Sequence, residues 1–230
     1  MAKLLVIVPA YNEEKSILDV IRNIREAEPT ADIMVVNDCS IDKTEEILSN
    51  NKISHISLPL NLGIGGAMQT GYIYALNNNY DFAVQVDGDG QHEPKEIKKL
   101  VAAQDREKAD LVIGSRFLGE KSFRSSFARR IGINIFAFIT QILTGQRITD
   151  ATSGFRLVNR EVIALYAANY PSDYPEPEVI VYLKNRGKKI VETPVLMKER
   201  QGGKSSITPL KSVYYMFKVI SSMLMQKVRG

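Results

Sequence analysis

The 230-residue chain holds a single cysteine, Cys39. No disulfide can close within it, which suits a reducing compartment. A chain of this length needs none, because it buries roughly 70–75% of the surface that its unfolded form exposes. Long apolar runs are also missing. There is no stretch of about 18 uncharged apolar residues, which argues against a membrane-spanning helix. The run Leu4–Val8 is too short for a secretory leader and stops at Pro9, so it reads as a buried strand. Internal repeats, low-complexity tracts and linkers are absent. Apolar residues make up 44% and charged residues 24%, which excludes a disordered, collagenous or coiled-coil chain and fits one domain, with or without an appendage.

Charge is present but unevenly placed. Residues 1–120 carry 12 Lys/Arg against 19 Asp/Glu, a net −7, and residues 121–230 carry 18 against 7, a net +11. An acidic first half suits a metal or nucleotide site, and a basic second half suits an anionic partner. A solvated surface of uneven charge is the plainer reading. No recognised nucleic-acid motif accompanies the basic half, so nucleic acid is not the expected partner.

Strand and helix signals alternate over the first 115 residues. Strands are expected at Leu4–Val8, Ile33–Val36, Ile53–Leu58, Phe82–Val86 and Leu111–Ile113. Between them, Ile17, Val20, Ile21 and Ile24 recur at helical spacing. Asp42 and Glu45 resemble a capping pair for a helix through Leu48, and a further helix is expected from about Gly65 to Leu76. Pro94 opens another helix, with Ile97, Leu100 and Val101 on one face. Such alternation implies a mostly parallel sheet covered on both faces, with ligands at the carboxyl ends of its strands. Beyond residue 120 the pattern loosens. Uncharged residues 131–145 show helical periodicity, Phe155–Val158 and Lys189–Glu192 read as short strands, and Glu178–Asn185 reads as a helix. Residues 207–228 form an amphipathic tail with Lys211, Lys218, Lys227 and Arg229 interspersed.

Chemistry concentrates at the strand ends. Asp87-Gly88-Asp89-Gly90-Gln91-His92 puts two carboxylates one residue apart on a loop, an arrangement suited to Mg²⁺ or Mn²⁺, although a plain Asp-Gly turn has the same residues. Asp38 can accept a hydrogen bond from a base or ribose, or cap a helix. Tyr11 can stack on a base and Glu13 can bind a ribose hydroxyl, or the two can open a capped helix. The glycines of Asn61-Leu62-Gly63-Ile64-Gly65-Gly66 precede a helix whose amides could face a phosphate. They lack the third glycine of a dinucleotide fingerprint.

Six segments occur in order: Val8–Glu14, Asn37–Ser40, Asn61–Gly63, Asp87–His92, Gly114–Arg116 and Ser153–Arg156. Together they resemble glycosyltransferase family 2, over about residues 3–206, in the branch of the dolichyl- and polyprenyl-phosphate sugar synthases. The resemblance implies an α/β GT-A fold for residues 1–206, with a C-terminal amphipathic helix over 207–230. It implies an inverting transfer from a UDP- or GDP-linked sugar. Pro9, Tyr11, Glu13 and Asp38 would hold the nucleoside, Gly63 would be a further substrate-binding residue, and Asp87, Asp89 and Gln91 would hold the metal and through it the donor diphosphate. Arg116, Arg129 and Arg130 would meet phosphates, and Ser153 and Arg156 would line the acceptor side. Arg200 lies in a segment that in the family closes over the nucleotide and would exclude water. Glu178 aligns with an acidic position of the lipid-phosphate branch and, with Glu176, is the candidate base for a hydroxyl acceptor; Pro175 and Pro177 depart from that branch's helical run.

The expected acceptor is a polyprenyl phosphate, undecaprenyl or dolichyl, at the cytoplasmic face of the membrane. Anchorage would be peripheral, through self-association or through a small membrane-protein partner. A glycan or protein hydroxyl is the alternative acceptor. A non-catalytic sugar-nucleotide-binding scaffold is the alternative of another class.

Overall fold

The computed structural model describes residues 2–119, 127–172, 175–198 and 209–229, with backbone alone at 127–131, 133, 209–217 and 229. Seven strands form one sheet: β1 (Leu4–Ala10), β2 (Asp32–Asn37), β3 (His55–Ser57), β4 (Phe82–Gln85), β5 (Leu111–Ser115), β6 (Arg156–Asn159) and β7 (Ile190–Pro194). Their order is β3-β2-β1-β4-β6-β5-β7. All neighbours are parallel except at β6, which runs antiparallel to both β4 and β5, pairing Val84 with Leu157 and Ile113 with Arg156.

Successive strand residues point to opposite faces, and both faces are covered. Leu5 and Ile7 join one core with Met68, Tyr72, Ile163 and Ile180. Val6 and Val8 join the other with Ile17, Ile21, Ile97 and Leu100. In β6, Leu157 enters the second core and Val158 the first. The first face carries α3 (Gly63–Asn77), α5 (Phe127–Thr144), α6 (Arg160–Ala168), α7 (Pro175–Asn185) and α8 (Pro209–Arg229). The second carries α1 (Ile17–Ala27), α2 (Thr44–Asn50) and α4 (Ile97–Glu107).

The elements differ from the sequence expectation at several points. The third strand is three residues long, with Ile53 buried in the preceding turn. Helix α3 begins at Gly63, whose φ of 74° only glycine adopts without strain. Helix α6 was not expected; it is capped by the Asn159 side chain, which accepts from the Val162 N–H, and it buries Val162, Ile163 and Tyr166. Helix α7 starts at Pro175, three residues before Glu178. Both prolines fall in its first turn, where the missing N–H groups would have had no helical partner. Helix α8 buries Val219 and Met223 in the first core.

Candidate active site

The carboxyl ends of β1, β2 and β4 open onto a cleft of about 210 Å³. Pro9, Ala10, Tyr11 and Glu13 line it from β1, Asp38 from β2, Ile64 and Ala67 from α3, and Asp87, Gly88 and Asp89 from the loop after β4. Parallel pairing of β1 with β2 and β4 brings these three segments side by side. The Gly88 N–H donates to Pro9 O at 3.3 Å, and an added Cβ on Gly88 would lie 3.1 Å from that oxygen. Glycine therefore lets the acidic loop lie against β1.

Each wall is fixed from behind. Asp38 donates its N–H to Ala10 O (2.9 Å) and accepts the Leu62 N–H on Oδ1 (2.7 Å). The Asn12 N–H donates to Ser40 Oγ (3.0 Å), and Asn12 Oδ1 accepts from the Ile41 N–H (2.9 Å). The Glu13 N–H donates to Thr44 Oγ1 at 2.9 Å. Tyr11 stays 45% exposed, its ring available for stacking.

In the acidic loop, Gln85 Nε2 donates to Asp87 Oδ1 (2.8 Å), and the Gln91 N–H donates to Asp89 Oδ1 (3.0 Å). Buried His92 accepts the Asp87 N–H on Nδ1 at 3.0 Å, which leaves the ring proton on Nε2, 3.5 Å from Asp87 Oδ2. The ring stacks on Phe155. The Gln91 carbonyl accepts the Lys198 N–H (2.9 Å), His92 bridges to Met197, and Glu96 Oε2 accepts the Leu196 N–H (3.0 Å). The segment after β7 is thus stitched to the acidic loop. Among the described residues no three Asp, Glu, His or Cys side chains form a metal cage. Two carboxylates with an amide oxygen at Gln91 fit a Mg²⁺ or Mn²⁺ ion whose remaining positions are filled by water and substrate phosphate.

Arg116 sits at the end of β5. Its Nε and Nη2 grip Oδ2 and Oδ1 of fully buried Asp150, both at 2.7 Å, and Nη2 also donates to Thr152 Oγ1 (3.0 Å). Among the described residues Nη1 has no hydrogen-bond partner. Burial works against the Arg116 charge, but Asp150, and behind it Asp87 and Glu176, more than offset that and hold the guanidinium firmly protonated. Burial pushes the Glu176 carboxyl up from its ordinary value, against the downward pull of the Arg156 guanidinium; Asp87 adds to the rise and Arg116 opposes it. Glu192 braces the group from β7, accepting from the Asp150 N–H (2.9 Å) and from both the N–H and Oγ1 of Thr149.

Of the residues singled out in the sequence, Pro9, Tyr11, Glu13, Asp38, Asp87 and Asp89 meet on the cleft, and Arg116 faces it electrostatically. Ser153 and Arg156 lie inside the scaffold. Ser153 Oγ donates to Gly114 O (2.7 Å), and Arg156 donates to the carbonyls of Ser153, Glu176 and Ala151 at 2.6–2.8 Å. Glu178 accepts from Ser222 of α8, whereas Glu176 is the glutamate coupled to Asp87 and Arg116. Among the α3 amides, that of Gly63 donates to Asn61 Oδ1 and that of Gly65 to Ser172 O, so neither is open to a phosphate. Arg129 and Arg130 are placed by backbone on α5, and Arg200 lies outside the described residues. Asp150 and Gln85 were not singled out; Asp150 lies three residues before Ser153 in a recognised segment, and Gln85 two before Asp87 on a strand.

The chain is 30% identical over 215 residues to an undecaprenyl-phosphate mannosyltransferase of Micrococcus luteus, covering 90% of this chain and 88% of that one. It is 31% identical over 225 residues to a polyprenol monophosphomannose synthase of Mycolicibacterium smegmatis, covering 94% and 84%. The fold matches glucosyl-3-phosphoglycerate synthase of Mycobacterium tuberculosis, solved with Mn²⁺, UDP and phosphoglyceric acid, with a TM-score of 0.73 at 20% identity over 98% and 78% of the two chains. This is the GT-A fold. The profile of glycosyl transferase family 2 matches residues 5–166, from the first strand into α6 and across the whole cleft, so the chain is a glycosyltransferase belonging to that family.

Proposed function

We propose that the chain moves one hexose or N-acetylhexosamine from a nucleotide sugar to a polyprenyl phosphate, with inversion at the sugar carbon. The observation that carries this reading is the convergence of Asp38, Tyr11 and Glu13 with Asp87 and Asp89 in one cleft beside Arg116. The first three suit a nucleoside. Asp87, Asp89 and Gln91 would hold a divalent cation, whose charge offsets the negative charge that the departing nucleoside diphosphate gains as the sugar–oxygen bond breaks. Arg116, preorganised by Asp150, offers Nη1 to a phosphate of donor or acceptor without reorganising as charge develops.

The acceptor assignment rests on chemistry and on the relatives. A phosphate monoester is already ionised near neutral pH, so it attacks without a general base. The two relatives carry names of polyprenyl-type acceptors. Helices α5 and α8 hold six Lys/Arg and no Asp/Glu between them. They expose Phe138, Ile142, Leu224, Met225 and Val228, a composition suited to lying on an anionic bilayer surface. Among the described residues no helix is long and apolar enough to cross a membrane. We read the attachment as peripheral, through that basic and apolar surface, at the cytoplasmic face.

A hydroxyl acceptor is the second reading. Glu176 favours it, because a carboxyl with a raised pKa beside the site is suited to take a hydroxyl proton. Radiolabelled transfer from a panel of sugar nucleotides to undecaprenyl phosphate, dolichyl phosphate and phosphoglycerate separates the two. The proposal expects a lipid-extractable product that Asp89→Ala abolishes and Glu176→Gln leaves turning over. Label that enters only hydroxyl acceptors, with a loss of 100-fold or more in Glu176→Gln, an order typical of a missing general base, would establish the second reading.

A further inference from the structure

Gln85 is a polar residue in an apolar strand. It is 2% exposed and stands between Val84 and Val86, both fully buried. A buried amide costs free energy unless its polar atoms are bonded. The Gln85 amide turns to the acidic loop, where Nε2 donates to Asp87 Oδ1 at 2.8 Å. An ionised carboxylate only accepts, so the NH₂ end of the amide must face it. Asp87 Oδ2 lies 3.5 Å from Nε2 of buried His92. Both oxygens of Asp87 thus face a donor from inside the protein, and each keeps a lone pair for a cation.

The space for the Gln85 amide comes from Gly154. An added Cβ there would lie 2.7 Å from Gln85 Nε2, and 3.5 Å from both Gln85 Cδ and Asp87 Oδ2. Gly154 is not among the glycines with positive φ, so alanine could adopt its backbone, and space alone calls for glycine. The backbone around it is pinned. Arg156 donates to the carbonyls of Ala151 and Ser153, Ser153 Oγ donates to Gly114 O, and the Gly114 N–H donates to Phe155 O at 2.8 Å. Gly154 therefore cannot back away from an added methyl. Resting on the glycosyltransferase reading above, we propose that Gln85 is a positioning residue for the metal ligand Asp87, and that Gly154 serves the donor side of the site by leaving room for the Gln85 amide.

The paramagnetic resonance of Mn²⁺ titrated into the full chain with UDP, and in parallel with GDP, reads cation affinity without turnover. Gln85→Leu removes the donor but keeps a buried apolar side chain, and is expected to weaken Mn²⁺ binding by about 10–100-fold, the usual cost of losing a bond that orients a metal ligand. Gly154→Ala pushes a methyl onto the amide and is expected to weaken binding by a similar factor. The double variant tells one shared cause from two separate ones. Leucine is one atom shorter than glutamine, so the added methyl then meets side-chain carbon at an ordinary contact distance. Gln85→Leu with Gly154→Ala should bind Mn²⁺ no more weakly than Gln85→Leu alone, and should recover the fold if Gly154→Ala alone fails to fold. Parent-like affinity in either single variant overturns the inference and leaves the glycosyltransferase reading in place. So do losses that multiply in the double variant, or a double variant that stays unfolded. If the parent binds no Mn²⁺ with either nucleotide, the donor reading of the cleft falls and this inference falls with it.

Discussion

Arg116 and Asp150 form the ion pair that matters most for the cleft. Asp150 is fully buried, and the Arg116 side chain is 12% exposed. Removing one partner of such a pair leaves an uncompensated buried charge, which typically costs about 3–5 kcal/mol. Asp150→Ala is therefore expected to lower unfolding free energy by roughly that amount in denaturant titration, and to lower transfer activity further by freeing Arg116 to turn. Two glutamates titrate in opposite directions. Glu45 accepts from Ser57, Asn37 and His55, and these bonds, led by Ser57, hold its carboxyl below the ordinary 4.5. Its stabilising effect is present above that value and is lost as pH falls through the lowered pKa. Glu45→Gln should thus be less stable than the parent at pH 7, with the gap closing below about pH 4. Glu176 is raised by burial, so its effect has the other sign. Its native state holds the proton longer than the unfolded chain does, and stability falls as pH rises above 4.5 toward the raised pKa. In metal-free protein, Glu176→Gln should match the parent in acid and exceed it at neutral pH, as thermal unfolding across pH will show.

At the scale of elements, the start of α3 joins the two sides of the site. Leu62 is bonded to Asp38 on the cleft wall, and three residues later the Gly65 N–H donates to Ser172 O, shortly before α7 and Glu176. An added Cβ at Gly65 would lie 2.0 Å from Pro171 O and 2.3 Å from Ser172 O, both backbone atoms that cannot swing aside. Gly65→Ala should destabilise the fold by about 3 kcal/mol, although the same change in an open helix would stabilise it. Calorimetric melting will give the sign directly. Elements whose signal is local were legible in the sequence. Helix α1 buries Ile17, Val20, Ile21 and Ile24, the positions its periodicity marks. Strands β1, β2 and β4 carry continuous apolar runs because both of their faces are covered. The insertion of β6 between β4 and β5 was not legible, because pairing partners at a separation of over 40 residues leave no periodic trace in either segment. Helix α6 was missed because nine residues directly after a strand leave little room for a repeat, although the cap at Asn159 followed by Val162, Ile163 and Tyr166 did carry the signal.

For the whole molecule, the acidic loop and the cleft walls at the ends of β1 and β2 were readable because each sits on one short segment at a strand end. The clamp on Arg116 was not, because it joins β5 to the Asp150 loop and then to Glu192 on β7. The first face of the sheet bears the basic, apolar helices α5 and α8. Binding to vesicles should therefore require anionic lipid, weaken as salt rises from about 0.1 to 1 M, where the screening length drops from about 10 to 3 Å, and fall when Ile142 and Val228 are both changed to Asp. Cosedimentation measures all three. The central claim, that Asp87 and Asp89 together hold the cation under the donor diphosphate, is tested most directly by the paramagnetic resonance of Mn²⁺ titrated with UDP. The account predicts that the free Mn²⁺ signal is quenched by protein plus UDP, and that Asp87→Ala and Asp89→Ala each restore it. Quenching of equal strength in both variants would contradict it.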